Sequence, residues 1–156
     1  MGIENPSFID INSMIAQVAS SLTASVRFPG SLNLDIKEIR NNLVPYPRFP
    51  FALCSYAPFL SGDKTYKEEI TVAQLTNSAF ESSTIFHFNL MASGNTMVSC
   101  NTNNGKYLAC CLMYRGDVVP KDISAAIATT RSKTSVQFVD WVPTTFKCGL
   151  NSRGLL

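Results

Sequence analysis

Residues 105–122 read G-K-Y-L-A-C-C-L-M-Y-R-G-D-V-V-P-K-D. The stretch 106–114 is strongly apolar, which predicts a strand covered on both faces. Pro120 then opens a predicted helix over 120–133. Proline suits the first turn because its missing N–H has no intrahelical partner there. Ile123, Ala126 and Ile127 fall on the inward side of that helix. Two more short strands are predicted at 136–141 and 145–150, with Pro143 between them.

Working outward toward the N-terminus, residues 7–25 predict a long helix. Ile11, Met14, Ile15, Val18 and Leu22 recur at helical spacing, and Ser7 with Asp10 forms a capping signal just after Pro6. Pro29-Gly30 breaks it. Asp35 starts a second, short helix with Glu38 three residues on and Ile36, Ile39 and Leu43 as the buried stripe. Val44-Pro45-Tyr46-Pro47 stops it, since proline lacks a donor and disfavours helix before it. A strand is predicted over 51–56 and a polar loop over 58–67. A third helix runs over 71–80, with Thr71 and Gln74 as its cap pair. Residues 81–104 show no period. No repeat, linker or charge block divides the chain, so 1–156 reads as one α+β domain, a mixed sheet packed with helices.

A chain of 156 residues can bury one core. With 46% hydrophobic and 15% charged residues it has a globular balance. The formal charge of +2 suggests neither nucleic acid nor an anionic membrane as partner. No run is apolar and long enough to span a bilayer, and no signal peptide is expected. Met1-Gly2 begins a myristoylation pattern, but Pro6 stands where Ser or Thr is needed. The cysteines are Cys54, Cys100, Cys110, Cys111 and Cys148, with no C-x-x-C pair. Neither a zinc site nor a disulfide framework is expected, and the cysteines read as small reduced core residues. The one histidine, His87, has no catalytic neighbours in sequence. There is no Gly-rich phosphate loop of either standard spacing.

Several longer words carry more. Residues 42–48 read N-L-V-P-Y-P-R, 125–129 read A-A-I-A-T, 137–141 read Q-F-V-D-W and 20–28 read S-S-L-T-A-S-V-R-F. Together with the 105–122 stretch, and in this order, they resemble the α-tubulins over nearly the whole chain. Y-R-G-D-V-V-P-K-D and V-P-Y-P-R favour α over β. The resemblance implies the intermediate domain, with 7–25 as part of the core helix. It implies a structural role in the microtubule cytoskeleton of the cytoplasm, with β-tubulin as longitudinal and another α-tubulin as lateral neighbour. The nucleotide-binding domain and the C-terminal helices are expected to be absent. Residues 84–94, which include His87, read as an insert. Residues 100–107, C-N-T-N-N-G-K-Y, depart from the family's C-D-P-R-H-G-K-Y.

The resemblance also assigns candidate sites, each with a plainer reading beside it. Glu38 matches the acidic residue that acts on the GTP of the β-subunit below, and Asp35 is its neighbour there. The plainer reading is a capping pair. Phe8 stands where the family stacks a Tyr on guanine, and Asn12 where an Asn binds the base edge. Otherwise they are a hydrophobic staple and a solvated helix residue. Lys121, Asp122 and Lys147 match longitudinal-contact positions, or are ordinary surface charges. Lys67 falls in the lateral loop, where the family has His. Trp141 reads as core. GTP is implied only by resemblance, because the chain's own pocket is incomplete. The chain is therefore not expected to be a GTPase alone. The rival reading is a nucleotide-free interaction module or a non-functional fragment.

Overall fold

Two parallel strands organise the molecule: β1 (Cys110–Arg115) and β2 (Phe146–Asn151). The computed structural model describes residues 7–30, 32, 34–44, 51–57, 70–80, 102–142 and 146–152. The remaining helices are α1 (Phe8–Leu22), α2 (Ala24–Arg27), α3 (Ile36–Leu43), α4 (Val72–Phe80) and α5 (Pro120–Arg131), with one 3-10 turn at Thr102–Asn104. Parallel neighbours need a crossover, and α5 supplies it, with Pro120 in its first turn as the sequence predicts. Leu32 pairs antiparallel with Leu150, donating at 3.5 Å and accepting at 2.9 Å. Helices plus this small sheet make the α+β class expected from the sequence.

Side chains alternate along a strand, so β1 and β2 divide the core into two faces. On one face, Thr76 of α4 is buried and its hydroxyl donates to the Val72 carbonyl at 2.7 Å. That hydroxyl therefore accepts from the Tyr114 phenol, 2.8 Å away. Phe146 gathers Phe80 and Phe138 at centroid distances of 6.3 and 5.2 Å, and the Arg131 guanidinium lies over its ring at 5.4 Å. Edge contacts of this kind add to the apolar burial. On the other face lie Gly149 and Asn151. A Cβ on Gly149 would stand 3.1 Å from Leu34 Cδ1, so glycine lets the segment before α3 lie close to β2. Asn151 is 4% exposed, and its Nδ2 donates to the carbonyls of Ala24 at 3.3 Å and Phe28 at 3.2 Å. These bonds complete acceptors at the end of α2 and tie it to the sheet.

The sequence reading needs several corrections. The first helix is broken at Thr23, whose hydroxyl donates back to the Ala19 carbonyl at 2.9 Å, and α2 restarts after it. Its apolar stripe is only partly covered: Val18 is buried, while Ile11, Ile15 and Leu22 remain exposed. Residues 51–56 form no strand. Phe51 is 96% exposed; pairing is confined to a single isolated bridge at Ser55, whose hydroxyl also donates to the Ala79 carbonyl at 2.9 Å. One bridge makes no ladder, whatever the β-propensity of the segment. Residues 136–141 contribute one bridge, Phe138 to Tyr107, before a turn at Asp140 and Trp141 ends the pairing. Trp141 is 62% exposed, not core, because that turn carries it out. β1 starts at Cys110, later than expected. The 58–67 loop, the 84–94 insert, His87 and Cys100 lie outside the described residues.

At the start of α1, Ser7 and Asp10 cap each other as predicted. The Ser7 amide donates to Asp10 Oδ2 at 2.8 Å, and the Asp10 amide to Ser7 Oγ at 3.4 Å. Bonds from the Ser7 side chain and then its backbone hold the Asp10 carboxyl below its ordinary 3.8. A depressed acid stabilises the folded form above its unfolded pKa, and the stabilisation is lost as pH falls through the folded value. Acidifying below 3.8 should therefore fray the first turn of α1. Amide exchange across 8–12 should accelerate there, and Ser7→Ala should flatten that acid dependence.

Candidate functional site

The acidic end of α3 is built by what precedes it. Leu34 is buried beside Gly149, which anchors the chain. Asp35 follows in extended backbone as the N-cap residue, and Ile36 begins the helix. No residue of α3 is buried, and only its Ile39, Asn42 and Leu43 are partly covered. The helix lies against β1 at the margin of the fold, with its first turn in solvent. Asp35 and Glu38 both point out there. The predicted capping pair does not form: Asp35 makes no side-chain cap, and among the described residues neither carboxylate accepts a hydrogen bond. Solvation of two exposed carboxylates competes with a cap worth only about 1 kcal/mol. Further along, the Asn42 amide donates to the Glu38 carbonyl at 2.6 Å.

The other candidates are distributed. Strand alternation puts Lys147 on the same side of β2 as Gly149, the side on which Leu34 lies, and its ammonium end is exposed. Lys121 and Asp122 occupy the exposed first turn of α5, just beyond the C-terminal end of β1. Phe8 and Asn12 sit one turn apart at the start of α1, both exposed, Phe8 at 85%. That exposure rules out the hydrophobic-staple reading of Phe8. Lys67 lies outside the described residues. Among the described residues no ion pair joins any of these groups; Lys106 pairs with Asp140 at 3.6 Å.

The residues that could hold a guanine nucleotide do not fit the whole of it. Phe8 offers a face and Asn12 an amide, which suit a base. A phosphate would need free amides, as at an open helix N-terminus. At α1 that end already faces the Asp10 carboxylate, which repels anions. Among the described residues no cluster of three or more His, Cys, Asp or Glu could hold a metal ion, and no helix is long and apolar enough to cross a membrane.

Burial keeps the described thiols protonated and slow to react. Burial, and to a smaller extent Cys111, push Cys110 up to about 12. Burial, with Cys148 nearby and partly offset by Lys147, pushes Cys111 up to about 11. Burial also raises Cys54 and Cys148. The thiolate is the reactive form. At pH 8, alkylation of Cys111 should run about a hundred-fold slower in the folded chain than after unfolding, and Cys110 slower still. Peptide-resolved mass spectrometry after timed iodoacetamide treatment measures it.

Sequence reasoning missed two structural residues. Asn151 lies one position past the predicted end of the last strand and ends β2. Gly116 has φ +117, a backbone that side-chain-bearing residues rarely adopt, and its amide donates to the Asn151 carbonyl at 2.9 Å. Its place between Arg115 and Asp117 in the turn after an apolar run was the available signal.

Residues 47–154 match the sequence profile of the Tubulin C-terminal domain family. That span takes in α4, β1, α5 and β2, and so the whole of the β–α–β core together with the helix that packs on it. It covers well over half of the 156 residues. The match takes in the quoted words at 105–122, 125–129 and 137–141 and agrees with the α+β architecture, and the chain belongs to the Tubulin C-terminal domain family.

Proposed function

We propose that this chain is the intermediate-type domain of an α-type tubulin. In this reading α3 carries Glu38 and Asp35 across a longitudinal contact to GTP held by a β-tubulin. Family membership supplies the coarser part: a cytoskeletal role among tubulin partners. The observation that supports the finer part is the state of the two carboxylates. They stand three residues apart at one helix end, exposed, and neither caps its own helix. A carboxylate in that condition can orient and accept a proton from water attacking a neighbour's γ-phosphate. Lys121, Asp122 and Lys147 form the charged surroundings of that contact, and Lys67 belongs to the lateral one. The setting is the microtubule in the cytoplasm. Phosphate release per assembled subunit, with and without Glu38, tests the proposal.

A second reading is a nucleotide-free module that binds tubulin ends. The exposed Phe8 and Ile9 at the start of α1 favour it, since large exposed apolar groups mark contact surfaces. Co-sedimentation separates the two, because a subunit enters the lattice in proportion to its concentration and an end-binder saturates at one per end. Both readings share an expectation about nucleotide. The 156-residue chain should give no measurable heat with GTP and magnesium, because Phe8 and Asn12 reach only the base. A guanine-specific micromolar titration would show a phosphate site that this account lacks.

A further inference from the structure

Residues 102–105 read T-N-N-G, and Asn-Gly occurs at this one place in the chain. The family's motif has His-Gly here, so the pair is this chain's own. Asn104 closes the 3-10 turn Thr102–Asn104, and both Asn104 and Gly105 are exposed. The Gly105 amide donates to the Thr102 carbonyl at 3.3 Å, a long bond at the surface that opens easily. Nothing crowds that backbone: a Cβ on Gly105 would meet only the Thr102 carbonyl oxygen, at 4.0 Å. The other described asparagines are placed differently. Asn12, Asn41, Asn42 and Asn77 lie inside helices, where the following amide points back along the axis. Asn103 is followed by a residue with a side chain, and the Asn151 amide is committed to the Ala24 and Phe28 carbonyls.

We propose that Asn104–Gly105 is a self-modifying site, at which Asn104 converts to isoaspartate and aspartate without an enzyme. The Gly105 nitrogen gives up its proton and attacks Asn104 Cγ. A C–N bond forms, the Cγ–Nδ2 bond breaks, and the leaving nitrogen takes up a proton to depart as ammonia. Glycine favours the step because it has no Cβ to hinder ring closure and leaves the backbone free to swing into place. Water then opens the five-membered cyclic imide. Opening at Cγ leaves aspartate. Opening at the backbone carbonyl leaves isoaspartate, with the main chain rerouted through the former side chain. Nothing is oxidised or reduced: one amide and one water become one carboxylate and one ammonium. Isoaspartate lengthens the main chain by one carbon shortly before Tyr107. The Tyr107 amide donates to the Gln137 carbonyl at 2.7 Å, and its carbonyl accepts from Val139 at 3.1 Å. The new charge also lies two residues from Lys106, which pairs with Asp140 at 3.6 Å. Conversion therefore loosens the seam between 102–107 and 137–139.

Ageing the full 156-residue chain in mildly alkaline buffer tests this. Peptide-resolved mass spectrometry follows each asparagine, and isoaspartyl methyltransferase labelling separates isoaspartate from aspartate. Position 104 should convert several-fold faster than Asn12, Asn42 or Asn77, with isoaspartate as the larger product. The rate should climb with pH, because the attacking nitrogen must first lose its proton. Gly105→Ala should slow conversion several-fold. Asn104→Gln should abolish it on the same timescale, since glutamine must close a six-membered ring. The alanine variant should melt with the parent, because a Cβ has room there and Gly105 does not use a positive φ. Aged parent should exchange the Tyr107 and Val139 amides faster than fresh parent. Conversion at 104 no faster than at the helical asparagines, or equal rates in the parent and Gly105→Ala chains, would overturn the site. Unchanged exchange after full conversion would overturn the loosening.

Discussion

Glu38→Ala, introduced into a full-length α-tubulin that carries this domain, should slow GTP hydrolysis in the polymer by about a hundred-fold or more. It should leave dimer formation intact and the lattice rich in GTP. The size follows from the role. A positioned acid–base group lowers the barrier only while its oxygen lies within reach of the attacking water, and alanine leaves nothing in its place. Glu38→Gln should come close to the alanine result, because the amide keeps the shape but cannot take a proton. Asp35→Asn should have the smaller effect. The structure makes this a clean test of chemistry. Since Glu38 does not cap α3, removing it costs only the helix-dipole contribution of an exposed acid, about 0.3–1 kcal/mol. A large fall in phosphate release with unchanged thermal melting therefore separates catalysis from folding. Equal release from the two polymers would reduce Glu38 to a surface residue.

Asn151→Asp should be the most damaging single-atom-scale change in the core. The Nδ2 group donates to two carbonyls in a site that is 4% exposed. An aspartate there presents lone pairs to both acceptors and sets a carboxylate in a buried site. Losing both neutral bonds and setting a carboxylate against the two carbonyls costs about 2–4 kcal/mol. For a chain of this size that corresponds to a fall in Tm of roughly 10 °C. Asn151→Ala should cost less, about 1–3 kcal/mol, because it removes the two buried bonds without adding repulsion. The pH dependence distinguishes the two. Protonating the aspartate restores one donor, so the stability lost at neutral pH should partly return as pH falls into the carboxylate range. The alanine variant should show no such recovery. Thermal melts of the three chains across that range decide it, and an aspartate variant that melts with the parent would mean Asn151 does not hold α2.

How far the sequence could be read depended on whether the signal was local. The helix starting at Pro120, the Thr71–Gln74 and Ser7–Asp10 caps and the two strands of the core were legible, because periodicity and capping are properties of neighbouring residues. The failures share a cause. Residues 51–56 and 136–141 have strand composition, but a strand also needs an edge in register, and that comes from residues far away. Asp35 and Glu38 have capping-box spacing, yet a solvated carboxylate has little reason to fold back. Trp141 has core chemistry, and a turn exports it. For the site, resemblance named Asp35 and Glu38, and their exposure is compatible with the contact proposed for them. Phe8 and Asn12 were named the same way, and the Asp10 carboxylate at the end of their helix is hostile to phosphate.

The bonds from Asn151 to Ala24 and Phe28 span 127 and 123 residues of chain. They impose a timetable on biogenesis. A ribosome adds roughly 5–20 residues per second, so α1 and α2 emerge roughly 6–25 seconds before the strand that secures them. Throughout that interval the Val18 and Ala24 surface, buried at the end, is open to water and to any other nascent chain. Closing so long a loop is also slow once the strand arrives. Yield in a cell should therefore depend less on the final stability than on what shelters α1 and α2 while β2 is being made.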